Sequence, residues 1–185
     1  GKYSAVPGTP EVLEAIATKL KRDNKLNYKP SQIITNVGAK HSLFNLFSCI
    51  INHGDEVIIP SPYWVSYPEI VKYCGGTPVI IETSEDNKFK LTASQIRSAI
   101  TLKTRAIVLN SPSNPCGGVY SKAELEEIGK VLEGSDILVV SDEIYEKLTY
   151  SGEFIAAAAI SDDMFKRTIT INGFIVAIHM QGWER

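Results

Sequence analysis

Apolar residues recur at helical spacing between Glu11 and Asn24, where Val12, Leu13, Ile16, Ala17 and Leu20 predict one buried face. Thr9 and Pro10 stand where an N-cap and a first-turn proline open such a helix. QIITN (32–36) reads as a short strand. A second helical pattern runs through GAKHSLFNLFSCIIN (38–52) until Asn52-His53-Gly54 stops it, and EVIIP (56–60) reads as another strand. YWVSYPEIVKYC (63–74) predicts a helix opened by Pro62 and kinked at Pro68, with Gly75-Gly76 ending it before the strand PVIIE (78–82). Thr92 with Gln95, and Ser121 with Glu124, have the spacing of capping boxes and predict helices over TASQIRSAI (92–100) and SKAELEEIGKVL (121–132). The strands RAIVLN (105–110), DILVVSD (136–142) and TITIN (168–172) complete the series.

These strands are short, and RAIVLN and DILVVSD are almost unbroken in their apolar residues. Strands without in-and-out alternation are buried on both faces, and the helical stretches between them are long enough for crossovers. The expected fold is α/β, a mostly parallel, doubly wound sheet flanked by helices. No internal repeat, low-complexity segment or linker divides the chain. In such a sheet ligands bind beyond the carboxyl ends of the strands, so polar residues there carry most of the functional information.

Composition narrows the classes of partner. The chain has 185 residues, 44% hydrophobic and 22% charged, which suits one sizeable core. Its formal charge of −2 comes without runs of like charge, which suggests neither nucleic acid nor an anionic membrane as partner. No apolar run reaches the roughly 18 residues of a membrane span. Cys49, Cys74 and Cys116 are odd in number and far apart, which favours reduced thiols and a cytoplasmic setting. His41, His53 and His179 lack metal-ligand spacing, and no serine sits in a G-x-S-x-G elbow, so no metal is expected and acyl transfer has no support.

The strand ends carry four polar sets: Asn36 to Lys40, Ser61 to Trp64, Asn110 to Pro115 and Ser141 to Tyr145. VGAK leads directly into a helix, so the backbone N–H groups of Gly38, Ala39 and Lys40 can seat an anion, although a lone glycine there also serves as an ordinary cap. Trp64 can stack on a flat ring or simply pack. Asp142 ends an apolar strand, where a carboxylate either caps the next turn or pairs with a buried cation.

Taken together, NVGAKHSLFNLF, GDEVIIPSPYWVSYPEIVKYCGG, LNSPSNPCG and VVSDEIYEKLTY resemble, in this order and spacing, the large domain of class I aminotransferases. These are fold-type-I enzymes that use pyridoxal 5′-phosphate, and the resemblance is to their aspartate and aromatic subgroup. It covers essentially the whole chain. It implies that residues 1–185 are an incomplete cofactor-binding large domain, with the small C-terminal domain and the N-terminal arm absent. It further implies transamination between an amino acid and a 2-oxo acid, in a homodimer.

By the same resemblance, Gly38 and Ala39, with Lys40 beside them, bind the cofactor phosphate. Trp64 stacks on the pyridine ring, Asn114 contacts the ring hydroxyl and the substrate carboxylate, and Tyr145 bonds the same hydroxyl. Asp142 pairs with the ring nitrogen, and Tyr3 reaches the phosphate of a neighbouring subunit. The family pattern near the last strand, about N-G-[FL]-S-K-x-Y-x-M-T-G-W-R, meets Asn172-Gly173-Phe174-Ile175-Val176 here, and Met180, Gly182 and Trp183 return in register. The Schiff-base lysine position therefore falls on Val176, the phosphate-binding serine on Ile175 and the following arginine on Glu184. A valine has no amine to hold the cofactor and no group to move a proton. The sequence thus leaves a second reading beside transamination, a non-catalytic binding or interaction module. A third, a general nucleotide-binding domain, lacks a glycine-rich turn after the first strand.

Overall fold

Val57, Ile58 and Ile59 are consecutive and all fully buried, yet they serve two different cores. Ile58 joins Ile107, Leu109 and Val139 on one side of a sheet, and Val57 and Ile59 join Ala106, Val108 and Val140 on the other. Side chains alternate along a strand, so an unbroken apolar run requires cover on both faces.

In the computed structural model, which describes residues 5–173, five strands form that sheet. They are β1 (Glu56–Ser61), β2 (Thr77–Glu82), β3 (Thr104–Asn110), β4 (Leu138–Asp142) and β5 (Thr168–Ile171). Their order is β2-β1-β3-β4-β5, and every neighbouring pair is parallel. Two helices, α2 (Gly38–Ile50) and α3 (Ser66–Tyr73), cover the face of Val57 and Ile59 through Leu43, Phe47, Tyr67, Ile70 and Val71. The opposite face is covered by α4 (Ala93–Ala99), α5 (Lys122–Leu132) and α6 (Asp162–Arg167), through Ile96, Leu125, Ile128 and Met164. The remaining helix, α1 (Pro10–Asn24), contributes Leu20 to a smaller cluster with Leu26, Ala156 and Ala158.

The expected doubly wound α/β fold is present, and both capping boxes form. The N–H of Thr92 donates to Gln95 Oε1 at 3.0 Å while the N–H of Gln95 donates to Thr92 Oγ1 at 3.2 Å. Ser121 and Glu124 exchange the equivalent pair of bonds at the start of α5.

Several local expectations are corrected. QIITN forms no strand: Pro30–Gln32 is a 3-10 turn, Ile34 is exposed, and Thr35 donates its N–H to Pro7 O at 2.9 Å rather than to a ladder. Along α1 the buried positions are Leu13, Ala17, Leu20 and Asn24, a four-three-four spacing that leaves Val12 outside. Thr9 occupies the N-cap but its side chain makes no capping bond. Pro62 precedes α3 without opening it, and Pro68 is the third residue of that helix. An N–H in the first turn has no intrahelical acceptor, so a proline there removes no bond and need not kink the helix.

The connection from β2 to β3 crosses β1, and the strand order reverses direction between β1 and β3. At such a switch point the loops leaving adjacent strand ends part to opposite faces and open a crevice. Ser61 ends β1, Asn110 ends β3 and Asp142 ends β4, all at the same edge. Among the described residues no helix is long and apolar enough to cross a membrane.

Candidate active site

Asp142 is only 3% exposed. Tyr67, reaching across from the first turn of α3, donates its hydroxyl to Asp142 Oδ2 at 2.6 Å, and the Ile144 N–H donates to Oδ1 at 3.3 Å. Burial pushes the Asp142 carboxyl up, and these two bonds work against that rise. Burial, and next the charge of Asp142, push the Tyr67 hydroxyl far above the ordinary phenol range, which fixes it as a donor. Among the described residues no Lys, Arg or His lies in ion-pair contact with Asp142. A buried carboxylate without a cation is costly, and it gains from a positively charged or strongly donating ligand.

Asn110 and Asp142 are register partners on β3 and β4, and Asn110 Nδ2 donates to the Asp142 carbonyl at 2.9 Å. The Asn110 side-chain oxygen accepts from the Asn114 N–H at 2.6 Å, which folds the loop after β3 back over the strand end. Asn114 Nδ2 in turn donates to the Tyr145 hydroxyl at 3.2 Å. On the other side of Asp142, Trp64 meets the Tyr67 ring edge-on, with centroids 5.3 Å apart and planes at 80°. Lys40 Nζ lies 5.1 Å from the centre of the Trp64 indole.

Contacts thus run without a gap from Lys40 through Trp64, Tyr67, Asp142, Asn110 and Asn114 to Tyr145. Gly38 and Ala39 lie beside Lys40 at the start of α2. Gly38 has φ +81°, and a Cβ built on it would meet none of the described residues within 4 Å. The anion seat is narrower than its three-residue reading: the Gly38 N–H donates to Asn36 O at 3.0 Å, while Ala39 and Lys40 occupy first-turn positions whose N–H groups have no intrahelical acceptor. Tyr3, Ile175, Val176 and Glu184 lie outside the described residues. Among the described residues no cluster of His, Cys, Asp and Glu is placed to hold a metal ion.

The family model for aminotransferase class I and II matches residues 1–183. The chain belongs to that family. It is 54% identical to an aspartate aminotransferase of Bacillus sp. (strain YM-2) over 184 residues, which cover 99% of this chain and 47% of the relative. An aspartate aminotransferase of Bacillus subtilis is 52% identical, with the same coverage. Among solved structures, an aspartate aminotransferase from Rhizobium meliloti superposes with a TM-score of 0.95 at 42% identity, covering 98% of this chain and 46% of that one. A Thermus thermophilus aspartate aminotransferase tetra mutant gives 0.93 at 44% identity, covering 98% and 49%. The chain therefore spans about half the length of the curated relatives it matches.

Four further residues belong to this strand-end cluster or its frame without a place readable in the sequence. Tyr67 lies in a helix pattern where an aromatic reads as packing, and its partner is far away in sequence. Asn110 ends a strand, but its part in folding Asn114 back depends on the loop path. Glu143 is fully buried; its Oε1 accepts from Ser141 Oγ at 2.9 Å and from the Ala157 N–H at 3.1 Å, while Oε2 has no partner among the described residues. Burial pushes this carboxyl up to about 8. Glu146 is the fourth, with three donors from two parts of the chain, Lys19 and Asn24 on α1 and Asn172 after β5.

Proposed function

We propose that this chain forms the cofactor-binding part of a pyridoxal 5′-phosphate-dependent aminotransferase, which moves an amino group between an amino acid and a 2-oxo acid. The observation that carries the reading is Asp142, a carboxylate buried at a strand end without a cationic side chain among the described residues. A protonated pyridine nitrogen supplies the missing positive charge. The start of α2 at Gly38, with Lys40 beside it, suits a phosphate group. The donor set therefore fits the cofactor at both ends.

When bound, pyridoxal phosphate supplies an electron sink for the pair left when the substrate α-proton departs. Asp142 would hold a proton on the ring nitrogen by raising its pKa, and the Tyr67 hydroxyl holds Asp142 in place and favours its ionised form. Trp64 would cover the ring. Asn114 and Tyr145, already bonded to each other, would bind the ring hydroxyl, and Asn114 would also orient the substrate carboxylate. Ala39, Lys40 and the α2 dipole would bind the phosphate. Tyr3 would complete the phosphate site of a neighbouring subunit in a homodimer. The free Cys49, Cys74 and Cys116 accord with a cytoplasmic enzyme.

Aspartate is the amino donor to test first, since the relatives at 52% and 54% identity carry the name aspartate aminotransferase. The comparisons lend no support to a non-catalytic module, and that alternative rests on Val176. One experiment separates the two. The purified chain is mixed with pyridoxal phosphate, reduced with borohydride and mapped by peptide mass. A stoichiometric adduct on one lysine, together with amino-group transfer from aspartate to 2-oxoglutarate, would remove the non-catalytic reading that Val176 raises. No adduct and no transfer would remove the catalytic reading.

A further inference from the structure

Glu146 follows Tyr145 on the turn after β4, and its side chain is only 6% exposed. Lys19 Nζ, on α1, donates to its Oε1. Asn24 Nδ2, at the end of α1, donates to Oε2 at 2.6 Å, and Asn172 Nδ2, just past β5, donates to the same oxygen at 3.0 Å. Lys147 Nζ stands 3.5 Å from Oε1. Burial by itself would raise this carboxyl, but the bonds from Asn24, Lys19 and Asn172 outweigh it and hold the group below the usual carboxylate range. It is anionic at neutral pH.

The turn has one further tie to α1, from Lys147 Nζ to Asp23 Oδ2 at 3.1 Å. Its own backbone bonds are short-range, from the Glu146 N–H to Glu143 O at 3.0 Å and from the Leu148 N–H to Tyr145 O at 2.7 Å. Tyr145 reaches the strand-end cluster by one side-chain bond of 3.2 Å to Asn114. Docking α1 does not call for so many polar contacts, because Leu20 already packs with Leu26, Ala156 and Ala158. The donors converge on the residue next to Tyr145, and what they immobilise is the backbone from which the Tyr145 ring projects.

We propose that Glu146 is a positioning residue of the active site: by tying the turn after β4 to α1 and to Asn172, it sets the orientation of Tyr145 and of the Tyr145–Asn114 pair. The proposal rests on the reading of the strand-end cluster as a pyridoxal phosphate site. It makes α1, which contributes no residue to that cluster, a determinant of cofactor binding.

The test is a double-mutant cycle on the full chain, with pyridoxal phosphate as probe and quenching of tryptophan emission as the readout of affinity. Glu146→Gln is expected to weaken binding about tenfold in the parent background and to have almost no effect in a Tyr145→Phe background, because coupled residues are not additive. Equal losses in both backgrounds would mean that Glu146 acts on the fold at large, and would overturn the proposal. Asn24→Ala removes one α1 bond without changing charge. It is expected to repeat the non-additivity, and it decides the matter if Glu146→Gln does not fold. Hydrogen exchange in the unliganded chain supplies an independent arm: the Glu146 and Leu148 amides are expected to exchange faster in both variants. Unchanged exchange there would overturn the proposal even if the parent chain binds no cofactor, a result that would count separately against the cofactor reading.

Discussion

Strand alternation sends Asp142 and Glu143 to opposite sides of the sheet edge, Asp142 towards Tyr67 and Glu143 towards the Ala157 N–H. Their environments give them different tasks. Replacing Asp142 with alanine is expected to weaken pyridoxal phosphate binding and to change the absorption of the bound ring, and unaltered affinity and spectrum would count against the site as drawn. For Glu143 the expectation concerns stability. Its folded-state pKa, about 8, exceeds the ordinary glutamate value of 4.5, so the folded chain holds more protons than the unfolded one between those two values. The contribution of Glu143 is therefore intact at acid pH, declines as pH rises from about 4.5 towards 8, and is constant above that. Glu143→Gln lacks this decline, so the midpoint of urea unfolding should fall less steeply with pH in the variant than in the parent. Parallel curves would refute a raised Glu143. Trp64, Asn114, Asp142 and Tyr145 were legible because each stands at a strand end in a recognisable stretch. Tyr67 was not: its hydroxyl finds its acceptor only after α3 has packed on the sheet, and nothing local in SYPEIVKY signals that.

At the level of elements, local chemistry was read correctly at both capping boxes, where a side chain satisfies its own backbone, but not at Ser161, whose hydroxyl caps α6. For the Thr92–Gln95 box, Thr92→Ala is expected to cost about 1 kcal/mol, measurable as a lowered thermal midpoint without loss of the fold. A shift no larger than that of a neighbouring exposed substitution would show that the box contributes little. Strand assignment for QIITN failed for a reason that lies outside the segment. Consecutive β-branched residues, Ile33-Ile34-Thr35, describe a ribbon that can pair, but Thr35 bonds to Pro7 and these residues join neither edge strand, β2 or β5. Pro68 shows the reverse case, in which a residue that breaks helices is harmless because of its place in the first turn. The register of a helix face is similarly a tertiary matter, and Val12 is left out because α1 meets the rest of the chain through Leu13, Ala17 and Leu20.

At the scale of the whole molecule, alternating strand and helix signals sufficed to predict a parallel, doubly wound sheet, while strand order was beyond them. Sequence patterns say that each strand is buried on both faces but not which strand it lies beside. The order β2-β1-β3-β4-β5 matters because it puts Ser61, Asn110 and Asp142 along one rim. It also has a consequence in time. β1 and β2 can meet once a single crossover helix has formed, and so can β3 and β4, but β1 and β3 meet only after the chain has completed β2 and returned across it. Pairings distant in sequence are slow to form, because loop closure must precede any gain from contact. During refolding, helical circular dichroism should recover before the chain can capture pyridoxal phosphate, and simultaneous recovery in stopped-flow would contradict this. The β1–β3 seam thus sets an order of assembly: a half-folded chain has helices and strands, but until the seam closes Ser61 and Asn110 do not stand at neighbouring strand ends.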